Sequence, residues 1–318
     1  MVTPFFVGRK LLQETSEAAA CRFVCPLCAS WDVETYSDDE DQKLAASALG
    51  PSRKDISHGK ILRCRDCRFG FRRLRPAEEE LSTLYRELDH KVYEKESVGR
   101  FKTAKRHLRI VQQYVVGSRL LDVGCASGAF LRCAADAGWR VVGVEPAKVP
   151  CARASQLLGG RGEIMCVPLQ HADLAPSSFD ALTLWDVLEH VLDPIAFMKH
   201  CASLLKPGGY LFANVPDLDS LQSRLLGEHW PLLLPEHLNY FNRNSLRLCG
   251  QLAELQWVAF GRRPASFSLE YVFYRLAHHH VPGASLGHRV VSGSFFSEVC
   301  IPVLLGESYG IWTRQIRT

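Results

Sequence analysis

The chain has 318 residues, enough for one large domain beside a small one. With 47% apolar and 23% charged residues it is composed like a globular protein, which excludes a largely disordered chain, and a formal net charge of +4 is too small to argue for nucleic-acid binding by itself. No apolar stretch is long enough to span a bilayer, and Met1-Val2-Thr3-Pro4 lacks the charged-then-apolar pattern of a secretory signal, so a cytoplasmic protein is expected.

Residues 1–20 carry no firm pattern and are expected as a tail or short helix. Residues 21–75 hold two Cys-x-x-Cys pairs, Cys25/Cys28 and Cys64/Cys67. In a chain without an export signal its twelve cysteines are expected as thiols and metal ligands rather than disulfides. Two such pairs complete a tetrahedral structural zinc (Zn2+) site, a zinc-ribbon. The competing reading is a redox motif, or two coincidental pairs. Cys21 is then a spare thiol. The long connecting segment, with the acidic run Asp38-Asp39-Glu40-Asp41 and the turn formers Gly50-Pro51-Ser52, is expected as a solvated loop. Arg63, Arg65, Arg68, Arg72, Arg73 and Arg75 crowd around the second pair, with Phe69 and Phe71 between them. They form either a basic aromatic surface for RNA or phosphate, or countercharge for a four-thiolate zinc site beside the buried face of a strand. The modest net charge favours the second.

Residues 76–117 are expected as a helical cap or linker. Ala77-Glu78-Glu79-Glu80-Leu81 follows Pro76 as a helix start, Leu81, Leu84, Tyr85 and Leu88 recur at helical spacing, and a polar break with His90, Tyr93 and Glu94 precedes a second helix from Arg106 to Tyr114. The core is expected over residues 118–262. Its opening strand runs into Leu121-Asp122-Val123-Gly124-Cys125-Ala126-Ser127-Gly128, a small-residue elbow from which a helix begins. Val141 to Glu145 is a second strand ending in an acid, which could accept hydrogen bonds from ribose hydroxyls. A helix over Val149–Leu158, a short strand over Glu163–Val167, a strand at Phe179–Asp186, a helix capped by Asp193-Pro194 with a stripe Ile195, Met198, Ala202 and Leu205, and a strand at Tyr210–Val215 follow. Pro216 to Trp230 is expected as a lid or helix, Ser245–Ala253 as a helix and Gln256–Gly261 as a sixth strand. Residues 263–318 complete the sheet and the acceptor side: Phe267–Ala277 is a helix or partner surface, His278-His279-His280 an exposed turn, and Tyr309–Gln315 the last, antiparallel strand.

The elbow, the acid at Glu145, Phe179 to Asp186 and the turn Pro207-Gly208-Gly209 occur in order and together resemble the class I S-adenosylmethionine-dependent methyltransferases over roughly residues 119–260. Leu188-Glu189-His190-Val191-Leu192-Asp193-Pro194 and Pro235-Glu236-His237-Leu238-Asn239-Tyr240-Phe241 are most similar to the group near the ubiquinone-type O-methyltransferases, which also holds sugar and polyketide enzymes. Ala126 stands where many members have glycine.

The resemblance implies an α/β, Rossmann-like doubly wound sheet, mostly parallel with its last strand antiparallel, joined to the small zinc-ribbon and helical cap. It implies S-adenosylmethionine as donor, with Asp122 and Gly124 at its methionyl end, Ala126 and Gly128 making room, Glu145 on the ribose, Leu169 near the adenine and Asp186 beside the donor. Tyr85 and Tyr93 are candidates for the acceptor pocket, with half-buried packing tyrosines the commoner alternative. His190 is the first candidate general base, with Glu189 beside it and His237 second; a histidine held by a backbone partner is the alternative for both. The expected partner is a small-molecule methyl acceptor, such as a sugar nucleotide, polyketide or quinone. An RNA methyltransferase with a zinc-ribbon, and a non-catalytic binding module of the same fold, are the alternatives.

Overall fold

The computed structural model describes residues 23–41, 57–86, 97–262, 264–278 and 283–316. The tail 1–20, Cys21, Gly50-Pro51-Ser52, His90, Tyr93, Glu94, His279 and His280 lie outside the described residues, as do the side chains of Leu84, Tyr85 and His278.

Three short strands open the chain: β1 (Val33–Ser37), β2 (Ile61–Cys64) and β3 (Gly70–Arg72). Helices α1 (Glu78–Arg86) and α2 (Ser97–Tyr114) follow. Then come β4 (Arg119–Val123), α3 (Ala129–Asp136), β5 (Arg140–Val144), α4 (Lys148–Leu158), β6 (Gly162–Met165) and β7 (Phe179–Trp185). The second half holds α5 (Pro194–Leu204), β8 (Leu205–Pro216), α6 (Leu221–Leu226), β9 (Asn239–Tyr240), α7 (Arg243–Leu252) and β10 (Leu255–Gly261). It ends with β11 (Ala265–Ser268), α8 (Leu269–His278), α9 (Ala284–Val291), β12 (Cys300–Val303) and β13 (Glu307–Arg314).

The central sheet has seven strands in the order β10-β13-β8-β7-β4-β5-β6. Strands β4 to β8 pair in parallel, and β13 runs antiparallel between β8 and β10. The middle strands are apolar on both faces, with Leu120, Leu121, Val144, Leu182 and Leu184 fully buried, as a parallel sheet covered by helices requires. Helices α2, α3 and α4 cover one face; α5, α7 and the N-terminal ribbon cover the other. The chain leaves β4 toward β5 and β6, then returns to β7 and β8 on the opposite side. The tips of β4 and β7 therefore flank the crevice where such sheets bind ligands.

Local chemistry matches the element starts. Asp193 accepts from the amides of Ile195 and Ala196 at 3.0 and 2.9 Å, and Pro194 takes the first helical position. Asn242 and Ser245 form a reciprocal capping box on α7. Phe267–Ala277 resolves into the end of β11 and α8. Two expectations need correction. Leu205 is buried, but it opens β8 instead of closing the α5 stripe. The cysteines are not all thiols or ligands: Cys151 of α4 and Cys166 after β6 form a disulfide, their Cα atoms 5.6 Å apart. Residues fifteen apart in sequence meet because β6 returns alongside α4, a contact that no spacing announces.

The ribbon is joined to the core by main-chain pairing. Strands β1, β2 and β3 form an antiparallel meander, and β3 pairs with β9, matching Gly70 to Tyr240 and Phe71 to Asn239. Among the described residues, no helix is long and apolar enough to cross a membrane.

Candidate active site and ribbon

The elbow after β4 is a backbone structure. Gly124, Ala126 and Gly128 all have positive φ, at 72°, 46° and 82°. A Cβ on Gly124 would lie 2.7 Å from Val187 Cγ2, so glycine is required there for conformation and for space. Ala126 holds a left-handed conformation that costs an L-residue about 1–2 kcal/mol. Helix α3 starts at Gly128 with no side-chain cap, which leaves its first amides without a side-chain acceptor.

Glu145, just past β5, leans over this elbow. Its Oε2 accepts the Ala126 amide and its Oε1 the Ala147 amide, both at 2.9 Å. The carboxylate is buried, and burial raises its pKa while the two amides pull it back. Asp122 is 3% exposed and accepts from Thr183 Oγ1 at 2.6 Å, which ties the tips of β4 and β7 together. Burial pushes its pKa up to about 7, Thr183 opposing and the Glu145 charge adding. Asp186 follows β7 at φ 58° and accepts from Asn214 Nδ2 at 2.7 Å. Its carboxyl is raised by burial, against Asn214 and the Arg100 charge. Leu169 heads a single helical turn and is buried against the core.

Beyond Asp186 the chain brings Glu189, His190 and His237 together, with ligand atoms within 4.8 Å of one another. His190 Nδ1 lies 3.1 Å from Glu236 O, and His237 Nδ1 lies 2.9 Å from Leu232 O. A carbonyl only accepts, so each Nδ1 carries the proton and each Nε2 is the basic nitrogen. Burial pushes the His190 pKa down to about 4, and burial with the neighbouring His190 lowers that of His237. The ordinary imidazole value near 6.5 does not apply to His190 in this pocket. Glu189 is 1% exposed, its Oε2 has no hydrogen-bond partner among the described residues, and burial raises its pKa well above the usual range, with Asp186 adding to the effect.

Pattern reading missed four residues here. Thr183 and Asn214 each hold a site carboxylate from an adjacent strand, which a one-dimensional motif does not record. Glu307 opens β13, where burial and then Asp186 raise its carboxyl to about 8. Asn239 lies inside the flagged Pro235–Phe241 segment, and only the fold shows what it binds.

The four ribbon cysteines converge. Cys25 Sγ lies 3.6 Å from Cys67 Sγ, and Cys28 Sγ lies 3.5 Å from Cys64 Sγ. A tetrahedron with zinc–sulfur bonds near 2.3 Å has sulfur–sulfur edges of about 3.8 Å, so this donor set fits a structural zinc ion. Phe69 and Phe71 are buried as expected of a strand face, and Phe69 packs on Phe241. The arginines are engaged within the protein. Arg63 and Arg68 both bind Asp219, Arg65 binds Glu34, Arg73 binds Asp41, and Arg72 donates to Pro235 O. These contacts fasten the ribbon to itself and to the core.

A methyltransferase-domain family model matches residues 96–259, just over half of the chain. The ubiquinone biosynthesis O-methyltransferase of Idiomarina loihiensis is 40% identical over 115 residues, covering 35% of this chain and 47% of that protein. The enzyme of the same name from Xanthomonas campestris pv. campestris is 43% identical over 103 residues, covering 31% of this chain and 43% of that one. The chain thus matches somewhat under half the length of these curated relatives. A solved SAM-dependent methyltransferase from Methanosarcina mazei superposes with a TM-score of 0.47 at 17% identity, covering 65% of this chain and 98% of that one.

Proposed function

The chain belongs to the methyltransferase-domain family, and on that premise we propose that it moves a methyl group from S-adenosylmethionine to a small-molecule acceptor. The observation that supports this most is the Glu145 carboxylate held 2.9 Å from the Ala126 amide of the elbow. This supports a ribose role for Glu145, because a carboxylate oxygen that already accepts one amide keeps a second lone pair for a hydroxyl beside the glycine turn. In this reading Asp122 and Gly124 hold the methionyl end, Ala126 and Gly128 leave it room, Leu169 borders the adenine, and Asp186 flanks the sulfonium.

Bound there, the donor supplies an electrophilic methyl on a good leaving group. The chain's own residues then align the acceptor, exclude water and take a proton where the acceptor has one. In this reading Glu189, His190 and His237, gathered just beyond Asp186, serve that purpose. Zinc on Cys25, Cys28, Cys64 and Cys67 would close the ribbon and take no part in the transfer. A quinone-like phenol is the favoured acceptor class because the matched relatives carry that name, and the sugar-nucleotide and polyketide classes stand behind it. The RNA alternative is less supported, since four of the six arginines it would use are already paired with carboxylates of the protein. A cytoplasmic site of action belongs to the same proposal.

Titration calorimetry of S-adenosylmethionine into the wild type and Glu145→Ala tests the reading. The variant, checked for fold by circular dichroism, should bind at least about tenfold more weakly, the worth of one or two hydrogen bonds to a charged group. A wild type that ignores the donor supports the non-catalytic module instead, and an unaffected variant removes the ribose role.

A further inference from the structure

Of the arginines around the second cysteine pair, Arg75 is used differently. Its Nη2 donates to Leu192 O at 2.7 Å, to Asn239 Oδ1 at 3.1 Å and to Val191 O at 3.3 Å, and its Nη1 to Leu238 O at 3.4 Å. Asn239, fully buried, completes the grip. Its Nδ2 donates to Val191 O at 2.7 Å and Leu188 O at 3.1 Å, while the amides of Leu238 and Asn239 both reach Glu189 O, at 2.8 and 3.0 Å. The carbonyls of Leu188, Glu189, Val191 and Leu192 are therefore all held from this side.

Resting on the methyltransferase reading above, we infer that Arg75, delivered by the ribbon, is the positioning residue that fixes the loop 188–192 and with it the acceptor side of the crevice. The guanidinium is largely buried and spends its fork on neutral oxygens. Burial draws its pKa down to about 10, with the Asp193 charge opposing. Such burial is expensive, and an apolar side chain of similar size commonly stabilises a fold better. What guanidinium adds is geometry: five donors in one rigid plane set the relative positions of several carbonyls, which neither an alkyl chain nor an ammonium can do. The loop so fixed carries Glu189 and His190 between the end of β7 and the cap of α5. Arg75 itself stands three residues past β3, whose register against β9 places it. The ribbon is thus a wall of the acceptor site as well as a metal-closed module.

The test uses the full chain with Arg75→Met, which keeps the stem without donors, and Arg75→Lys. Hydrogen exchange is followed over residues 186–193 and 236–242. Donor affinity is read by calorimetry, and labelled methyl transfer is read with 3,4-dihydroxybenzoate as a catechol probe. Arg75→Met should exchange about tenfold faster in those two segments, bind S-adenosylmethionine within about threefold of wild type, and lose about tenfold or more in kcat on the probe, with Arg75→Lys between. Unchanged exchange in the two segments overturns the inference. So does a parallel loss of donor affinity and of protection at β4 and β5, which would make Arg75 a general folding residue. A wild type that does not bind the donor defeats the methyltransferase reading, and the exchange comparison still decides the role of Arg75.

Discussion

At the tips of β4 and β5 the crevice is shaped by main chain over a short stretch: three positive-φ residues within five positions, and one carboxylate held by two amides. Across from it, the segment from Asp186 to Asp193 is held by residues from far away in sequence. Arg75 comes from the ribbon, Asn214 from β8, Asn239 from β9, and Glu307 approaches at the start of β13. The first region is a local solution that tolerates almost no side-chain volume. The second is assembled from separate elements: Arg75, Asn214 and Asn239 bring hydrogen bonds, and Glu307 brings a neighbouring carboxyl. On the proposed function, a cleft that holds a fixed donor and a variable acceptor can keep the first region while the second changes with its suppliers.

The comparison breaks most readily at Gly124. In Gly124→Val the new Cβ meets Val187 and the left-handed backbone is strained, together about 3 kcal/mol, so donor affinity should fall by at least about 100-fold. Zinc per chain, measured by plasma mass spectrometry, should stay unchanged. Metal lost along with the donor would mean the two regions are not independent. On the other side, His190→Ala should slow turnover by roughly 10²-fold at similar donor affinity, and unchanged turnover would remove its role. Because burial holds His190 at about 4, it is neutral well before pH 6, and the pH profile of kcat should show no His190 step between pH 6 and 8. The mildest change sharpens the contrast. Ala126→Gly relieves a left-handed alanine and should raise stability by about 1 kcal/mol, seen as a Tm increase of about 2 °C. No gain would mean that the elbow carries little strain.

The same contrast explains what could be read in advance. The elbow, Glu145, the Asp193 cap and the core strands as segments follow from glycine placement, apolar runs and capping residues, all of which lie within a few positions of one another, while the doubly wound arrangement is implied by the family resemblance. The two cysteine pairs also announce themselves by spacing, and the structure brings all four sulfurs together. The partners of the segment from Asp186 to Asp193 carry no such local mark. Arg75 resembles its five neighbours until Asn239 and the loop carbonyls are placed around it. Glu307 is an ordinary strand acid until β13 aims its start at Asp186. The lowered imidazole of His190 and the Cys151–Cys166 bond likewise depend on burial and proximity, which composition does not encode.

Strand β13 has a further consequence, for biosynthesis. It fills the slot between β8 and β10, so a nascent chain still short of residues 307–314 presents two unpaired strand edges with nothing between them. On the ribosome the doubly wound half can form early, while β10 must wait for a strand that emerges about fifty residues later. Translation therefore leaves a window in which a chaperone, or the matching strand of a neighbouring copy, competes for that slot.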